Sequence, residues 1–421
     1  MDFLEIKDNP FLNISVASYE LLCGIQVVYE WYNSGSLSVE EKKGYFRTVL
    51  GNAYRDGETV VGANIKSSVC HIISENRYQV LTTFSVNIGG RIVHYCLSFL
   101  SECCDIQKFS LVSEYLRSEC NYASSFVRNC IVHKESFAKI KNIIVGSANY
   151  MSNLINSGII VSSSIPNLQG KEKVFYASAL SSHLQTQMTT IIEADNIEDA
   201  LPIAHFLSNF MLPFQLSMSS YQHFDTPVRG LYLQCVKKVD QLPTESLKLF
   251  DRPWTWVRVQ YNQVFHLVEF SHQAEISKDF YEKIRINTDL SSEDHVNLKQ
   301  KYQKYYRQDI IKHISNPKSM EILNNILKTP VQLQQFMCQQ IMREHIEKSL
   351  LFIEMIDRKL LVENNPFLGV NHIREISSKL GVLDIDGIRT LISFAQFFER
   401  RTFRRVLGGR KELLNELISA V

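Results

Sequence analysis

Residue patterns that are typical of β-strands occur only in the first two thirds of the chain. Residues 80–100, VLTTFSVNIGGRIVHYCLSFL, alternate around Gly89 and Gly90, which predicts a β-hairpin with a tight turn. From Ser271 onward such patterns nearly vanish, and helical patterns broken by prolines replace them. We therefore predict an α+β protein that is predominantly helical, with an all-helical C-terminal third.

Several other segments have patterns clear enough to predict single elements. Residues 185–211 predict a strand followed by a helix that Asn196 opens, and residues 228–238 predict a further strand. Residues 16–50 place apolar side chains largely at helical spacing, and residues 294–314 follow a capping box, so we predict helices there.

The length of 421 residues allows two or three domains. The segment SSSIPNLQGKEK at 162–173 gathers Ser, Pro, Asn and Gly, and it is the best first boundary. We predict a mixed α/β region at 1–165, a central α+β region at 166–275 and a helical region at 276–421.

Charge and cysteine content argue against several classes of protein. Lys and Arg number 45 against 44 Asp and Glu, so no net charge draws the whole chain to nucleic acid or membrane. Nine cysteines without a Cys-x-x-Cys pair are typical of reduced core thiols and not of disulfides or a zinc site. The acidic start MDFLEIKDNPFLN is unlike a signal peptide. We expect a soluble protein with no membrane association, no metal, no cofactor and no strong catalytic motif.

The stretch RNCIVH at 128–133 resembles the Arg/His motif of HEPN-class ribonucleases. In such a site Arg128 would hold the scissile phosphate and His133 would act as general base. The alternative is an ordinary helix in which the Arg packs its stem and the His is hydrogen-bonded.

The densest group of cations in this neutral chain lies near its C-terminal end. Six cations within twelve residues, interleaved with phenylalanines, predict a site for RNA phosphates: Arg400, Arg401, Arg404, Arg405, Arg410 and Lys411. The alternative is a solvated helix face.

Four short pieces between residues 201 and 310 resemble, in the same order, the inner-capsid clamp proteins of turreted reoviruses. They are PIAH at 202–205, RGLYLQCVKK at 229–238, SLKLFDRPWTWVRV at 246–259 and FYEKIRINTDLSSEDHVNLKQKYQKYYRQ at 280–308. The pieces cover about a quarter of the chain. The resemblance implies a non-enzymatic protein of the virion inner capsid, present in the host cytoplasm during assembly. Its implied partners are a larger inner-shell protein and double-stranded RNA, and its copies would meet only through the shell.

Three functional hypotheses follow from these observations. The first is the viral clamp protein that binds double-stranded RNA without reading sequence. The second is a HEPN-type endoribonuclease that uses Arg128 and His133. The third is a helical protein-interaction module without RNA binding.

Overall fold

The computed structural model describes the greater part of the chain. The described residues are 9–20, 24–32, 46, 66–72, 77–101, 105–135, 137–161, 165–239, 247, 250, 252–267, 311–312, 317–363 and 367–408. The chain divides into two compact units, and within the described residues the division lies between Ser157 and Gly158. The predicted α+β class is confirmed. The predicted division into three regions stays a prediction.

The first unit contains a five-stranded antiparallel sheet in the order β2-β1-β5-β4-β3. Its strands are β1 Phe11–Glu20, β2 Gly24–Tyr32, β3 Lys66–Ile72, β4 Arg77–Ile88 and β5 Arg91–Ser101. The predicted hairpin is confirmed as β4 and β5. Gly89 and Gly90 have φ angles of 60° and 82°, the left-handed conformation that a tight hairpin turn requires at both positions.

The helix predicted from residue 16 is wrong as far as Tyr32, because β1 and β2 pair as antiparallel strands there. The apolar spacing misled the prediction, since Ile25, Val27 and Tyr29 also alternate as a strand does. Gly24, at φ +70°, begins β2 in a conformation that a helix does not use. Most of residues 33–50 lie outside the described part of the chain.

Two helices follow the first sheet, α1 Ile106–Val132 and α2 Phe137–Ile155. Helix α1 lies on the sheet along β4, where Phe109 stacks on Tyr78 with ring centroids 4.0 Å apart. Farther along the helix, the Arg128 guanidinium donates to the carbonyl of Ser85. Phe46 packs in a separate apolar cluster with three residues of the sheet, namely Ala17, Leu81 and Cys96.

The second unit is built on a six-stranded sheet in the order β11-β10-β9-β6-β8-β7. Its strands are β6 Thr190–Ala194, β7 Ser220–Phe224, β8 Leu233–Lys237, β9 Trp254–Arg258, β10 Gln263–Leu267 and β11 Ile311–Lys312. Strands β6 to β9 are parallel, whereas β10 and β11 are antiparallel to their neighbours. Such a sheet is covered on its faces, which explains why β6 is buried throughout.

The helices of the second unit precede, interrupt and follow this sheet. They are α3 Gly170–Gln185, α4 Ile197–Ser208, α5 Pro213–Ser217, α6 Pro317–Lys328, α7 Val331–Glu363, α8 Val370–Lys379, α9 Ile385–Phe398 and α10 Thr402–Leu407. The predicted strand and helix in residues 185–211 are confirmed as β6 and α4, with Asn196 as the N-cap. Of the predicted helix at 294–314, only residues 311–312 are described, and they form β11; its capping box lies outside the described residues.

Among the described helices none is both long and apolar enough to cross a bilayer. Five cysteines whose side chains the structure describes are buried and form no disulfide, namely Cys96, Cys120, Cys130, Cys235 and Cys338. Burial raises the pKa of the Cys120 and Cys235 thiols to about 12, so these side chains behave as small apolar groups. The adjacent pair Cys103 and Cys104 lies outside the described residues.

A buried hydroxyl cluster joins α3 to the start of β9. The Thr255 hydroxyl lies 2.7 Å from that of Ser182 and 2.8 Å from that of Thr186. The nearby Thr189 hydroxyl is also buried, yet it has no hydrogen-bond partner in the described part of the chain. Thr255 and Thr189 therefore offer a matched pair of substitutions.

We expect Thr255→Val to lower the free energy of unfolding by about 1–3 kcal/mol, because it leaves the Ser182 hydroxyl buried without its partner. Thr189→Val should be neutral or stabilising by up to about 1 kcal/mol, because it removes a hydroxyl that is already unsatisfied. Urea denaturation of the two variants measures the difference. If both variants lost the same free energy of unfolding, the hydroxyl cluster would not be a source of stability.

Candidate interaction site

Three parallel strands of the second unit end at one edge of the sheet with charged residues. In the sheet, β6 and β9 are neighbours. From β6 the chain continues to β7, which lies on the β6 side of this pair, whereas from β9 it continues to β10, which lies on the β9 side. In open sheets of parallel strands, ligand sites lie outside the carboxyl ends of two such neighbouring strands. The carboxyl ends of β6 and β9 are therefore the first place to look for a functional site.

A buried carboxylate occupies this position. Glu193 near the end of β6 is fully buried, and one of its oxygens accepts from the Trp256 indole at 2.6 Å and from the Arg258 Nε at 3.0 Å. Arg258 also donates through Nη2 to the carbonyl of Val239. In the described residues, the second carboxylate oxygen of Glu193 has no partner. This network ties β6 and β9 together at their ends.

Two exposed ion pairs lie on the same edge. Lys238 lies 3.4 Å from Asp195 and has its ammonium 5.7 Å from the centroid of the Tyr261 ring. The charge of Asp195 raises the pKa of Lys238 above its usual value. Lys237 contacts Asp225 at 2.6 Å, and this hydrogen bond lowers the pKa of the Asp225 carboxyl. Exposed pairs of this kind contribute little to stability, but they can meet the charges of a partner.

The turn between β9 and β10 presents an aromatic side chain beside these charges. Asn262 adopts φ 48°, a left-handed conformation that Asn tolerates, and its amide donates to the carbonyl of Val259. Tyr261 is 51% exposed. The Gln260 side-chain amide is buried without a hydrogen-bond partner among the described residues. Tyr is enriched in binding hot spots, so this edge of the sheet, which we call the charged edge, is suited to recognition.

The charged edge is suited to binding and not to covalent chemistry. Glu193 is closed off from solvent and held by two donors, so it cannot reach a substrate. No group of His, Cys, Asp and Glu with the arrangement of a metal site occurs in the described residues. The residues that can contact a partner are Lys237, Lys238, Asp195, Asp225 and Tyr261.

The two residues of the HEPN-like motif lie near the end of α1. Arg128 is half-buried and donates to strand β4, whereas His133 is exposed and caps the helix. Residues five positions apart on a helix point about 140° away from each other, so one chain does not bring these two side chains onto one face. Nothing in the structure assigns a catalytic role to either residue.

The predicted RNA-binding cations do not form one surface in the described residues. Arg400 and Arg401 are exposed, but Arg405 is engaged in an ion pair with Asp357. Arg404 lies in α10, although its side chain is not among those described, and Arg410 and Lys411 lie outside the described residues. That these six cations form a binding site stays a prediction.

Sequence reasoning missed the residues of the charged edge. Glu193 lies in an otherwise apolar strand and Arg258 ends another, so two lone charges in neighbouring buried strands were the available signal. That signal does not show which charges pair. The pairing requires the order of the strands, which no short motif contains.

The profile of the C9orf72-like protein family matches residues 44–273. The match covers more than half of the 421 residues and includes every strand from β3 to β10. No individual curated protein matches the chain.

The family match overturns the reovirus resemblance. The predictions of a structural capsid function, of a shell protein and double-stranded RNA as partners, and of a virion location are wrong, because the matched family is cellular. One of the four pieces misled because Trp254 and Trp256 are core positions of a buried strand, which many folds share. The piece at 280–308 lies outside the described residues. The match supports neither a HEPN ribonuclease nor an uncharacterised helical module.

Proteins of the matched family are generally regulators of other proteins and not classical enzymes. The expectation that this chain is not an enzyme is compatible with that finding. Because the match covers more than half of its residues, the chain belongs to the C9orf72-like protein family.

Proposed function

We propose that this protein is a DENN-like regulator that binds a small GTPase and promotes exchange of its guanine nucleotide. The observation that carries the proposal is the family match over residues 44–273, since this family is associated with regulation of the exchange-factor type. The charged edge lies within the matched residues and supplies a surface for such a partner.

Nucleotide exchange needs no catalytic group of its own. A regulator that binds the nucleotide-free GTPase more tightly than the nucleotide-bound form must, by reciprocity, weaken nucleotide binding by the same factor. A tenfold preference corresponds to about 1.4 kcal/mol of coupling free energy. Surfaces with paired charges and an exposed aromatic residue can supply that preference, and the charged edge has both.

The test uses the purified full chain and a panel of small GTPases loaded with fluorescent GDP. We expect the chain to accelerate release from at least one GTPase about tenfold or more, and to bind its nucleotide-free form most tightly. The double variant Lys238→Ala/Tyr261→Ala should lower this acceleration about five- to tenfold, which is the effect of losing a hot spot of 1 kcal/mol or more.

The matched control removes an exposed cation and an exposed aromatic residue elsewhere. Lys318→Ala/Phe336→Ala changes α6 and α7, where both side chains are exposed, and should leave exchange unchanged. Failure to bind or release any GTPase of the panel would overturn the proposed function. If both double variants still accelerated nucleotide release, the proposed function would stand, but the charged edge would have no part in it.

A further inference from the structure

The turn between α9 and α10 is held rigidly in place. The Thr402 hydroxyl donates to the carbonyl of Glu399 at 2.7 Å and lies 3.3 Å from that of Ala395. The amides of Glu399 and Thr402 donate to Ala395 and Glu399, respectively. Because Thr402 is buried, these bonds are protected from competition with water.

The residues that follow the turn are anchored as well. Arg405 forms an ion pair with Asp357 of α7, and its carbonyl accepts from the amide of Leu368. Val406 is fully buried in the apolar cluster of the C-terminal helices, and its carbonyl accepts from Gly369. The backbone of the turn is therefore fixed on both sides.

Two arginines at this turn are nevertheless exposed. Neither Arg400 nor Arg401 makes an ion pair or side-chain hydrogen bond with the described residues, whereas most of the other charged side chains on α7 to α10 do. Glu399, which is half-buried, is the acidic residue next to them. A fixed backbone that presents two uncommitted guanidinium groups loses little further backbone entropy when a partner binds.

A row of aromatic side chains adjoins the turn. Phe398 is 40% exposed and contacts Phe397, which stacks on Phe214 with centroids 5.7 Å apart. Phe214 contacts Tyr232, and the guanidinium of Arg252 lies 3.6 Å from the centroid of that ring. Phe397, Phe214 and Tyr232 are all half-buried, so the row remains partly open to solvent. We call Arg400, Arg401 and this row the arginine-aromatic surface.

We propose that the arginine-aromatic surface binds an acidic segment of a partner protein that also carries aromatic residues. Carboxylates match the planar donor groups of arginine with two parallel hydrogen bonds, and aromatic residues of the partner can pack on the exposed ring of Phe398. Arginine and aromatic residues together form the usual composition of an interface hot spot. The proposal does not depend on the binding of a GTPase.

The observations favour an acidic protein segment over RNA. Six cations would have neutralised several phosphates, but Arg405 is committed to Asp357 and only Arg400 and Arg401 are free in the described part of the cluster. The two phosphate contacts that the described arginines could make would give a salt dependence with a slope of only about 1.5. Two arginines are enough, however, for a peptide that also uses the aromatic row.

The test measures fluorescence polarisation of labelled peptides with the full-length chain. The first peptide contains alternating Asp, Glu, Phe and Trp residues, the second replaces its acids by Asn and Gln, and the third replaces its aromatic residues by Ala. A labelled 20-nucleotide poly(U) RNA is the fourth probe. We expect the first peptide to bind about tenfold more tightly than the second and the third, and more tightly than the RNA.

The variant Arg400→Ala/Arg401→Ala should weaken binding of the first peptide about tenfold. The control Arg343→Ala/Arg358→Ala removes two exposed arginines from α7 and should leave binding unchanged. Equal affinity of the wild-type chain and the turn variant for the first peptide would overturn the proposal. Binding of poly(U) that the turn variant loses, without peptide binding, would also overturn it and assign the surface to RNA.

Discussion

Replacement of Glu193 by alanine is expected to lower the free energy of unfolding by about 3–5 kcal/mol, the usual cost of removing one partner of a buried ion pair. The variant leaves the Arg258 guanidinium in a largely buried position without its carboxylate and deprives the Trp256 indole of its acceptor. Urea denaturation followed by tryptophan fluorescence and circular dichroism would measure the loss. The expected signature is a lower midpoint with little change in slope.

The control for this prediction is Glu193→Gln. Glutamine keeps an oxygen that can accept from Trp256 and Arg258 and loses only the charge, so we expect a smaller loss of about 1–2 kcal/mol. If alanine and glutamine both left the midpoint unchanged, the network would contribute nothing to the second unit. The charged edge would then lack the rigid base on which its exposed residues depend.

Acidification from pH 7 to pH 5 is expected to destabilise the protein through two buried histidines. Burial lowers the pKa of His183 to about 3 and that of His345 to about 4. An unfolded chain titrates near pH 6.5, so between these values only the unfolded state takes up the protons. The free energy of unfolding therefore falls as the pH falls, by about 2 kcal/mol for each histidine at pH 5.

The geometry supports this sign. The Nδ1 atom of His183 lies 2.8 Å from the Thr190 hydroxyl, and its Nε2 atom has no partner in the described residues, so a protonated ring would hold a buried cation without an acceptor. Urea midpoints across this pH range test the prediction. His183→Gln and His345→Gln should each remove about half of the pH dependence that the histidines cause. A pH profile that both variants leave as steep as before would show that other groups cause it.

The local elements that sequence reasoning predicted well share one property. In the β4–β5 hairpin, the alternation of side chains agrees with two glycines at φ above zero. In β6 and α4, an apolar run is followed by Asn196 at the N-cap and acids in the first turn. Where periodicity and turn chemistry indicate the same element, the chain has few other ways to fold locally.

The prediction failed where one signal had to decide alone. Between Val16 and Tyr32 the apolar residues fit both a helix and a strand, and pairing of β1 with β5 decided in favour of the strand. Apolar residues at helical spacing, without a second signal, cannot outweigh the backbone hydrogen bonds and side-chain burial that a five-stranded sheet supplies. The reovirus resemblance failed for a related reason, since its piece around Trp254 and Trp256 is an apolar strand of a kind that many folds share.

The sequence by itself determined the α+β class, the hairpin at Gly89 and Gly90, and the helices from Pro317 onward, because these depend on residues close together in the chain. Only the tertiary structure decided that Glu193 meets Trp256 and Arg258, and that Arg405 meets Asp357 and leaves Arg400 and Arg401 free. These partners lie 48 to 65 positions apart. Which charges pair over such separations depends on strand order and helix packing, and no local pattern of residues contains that information.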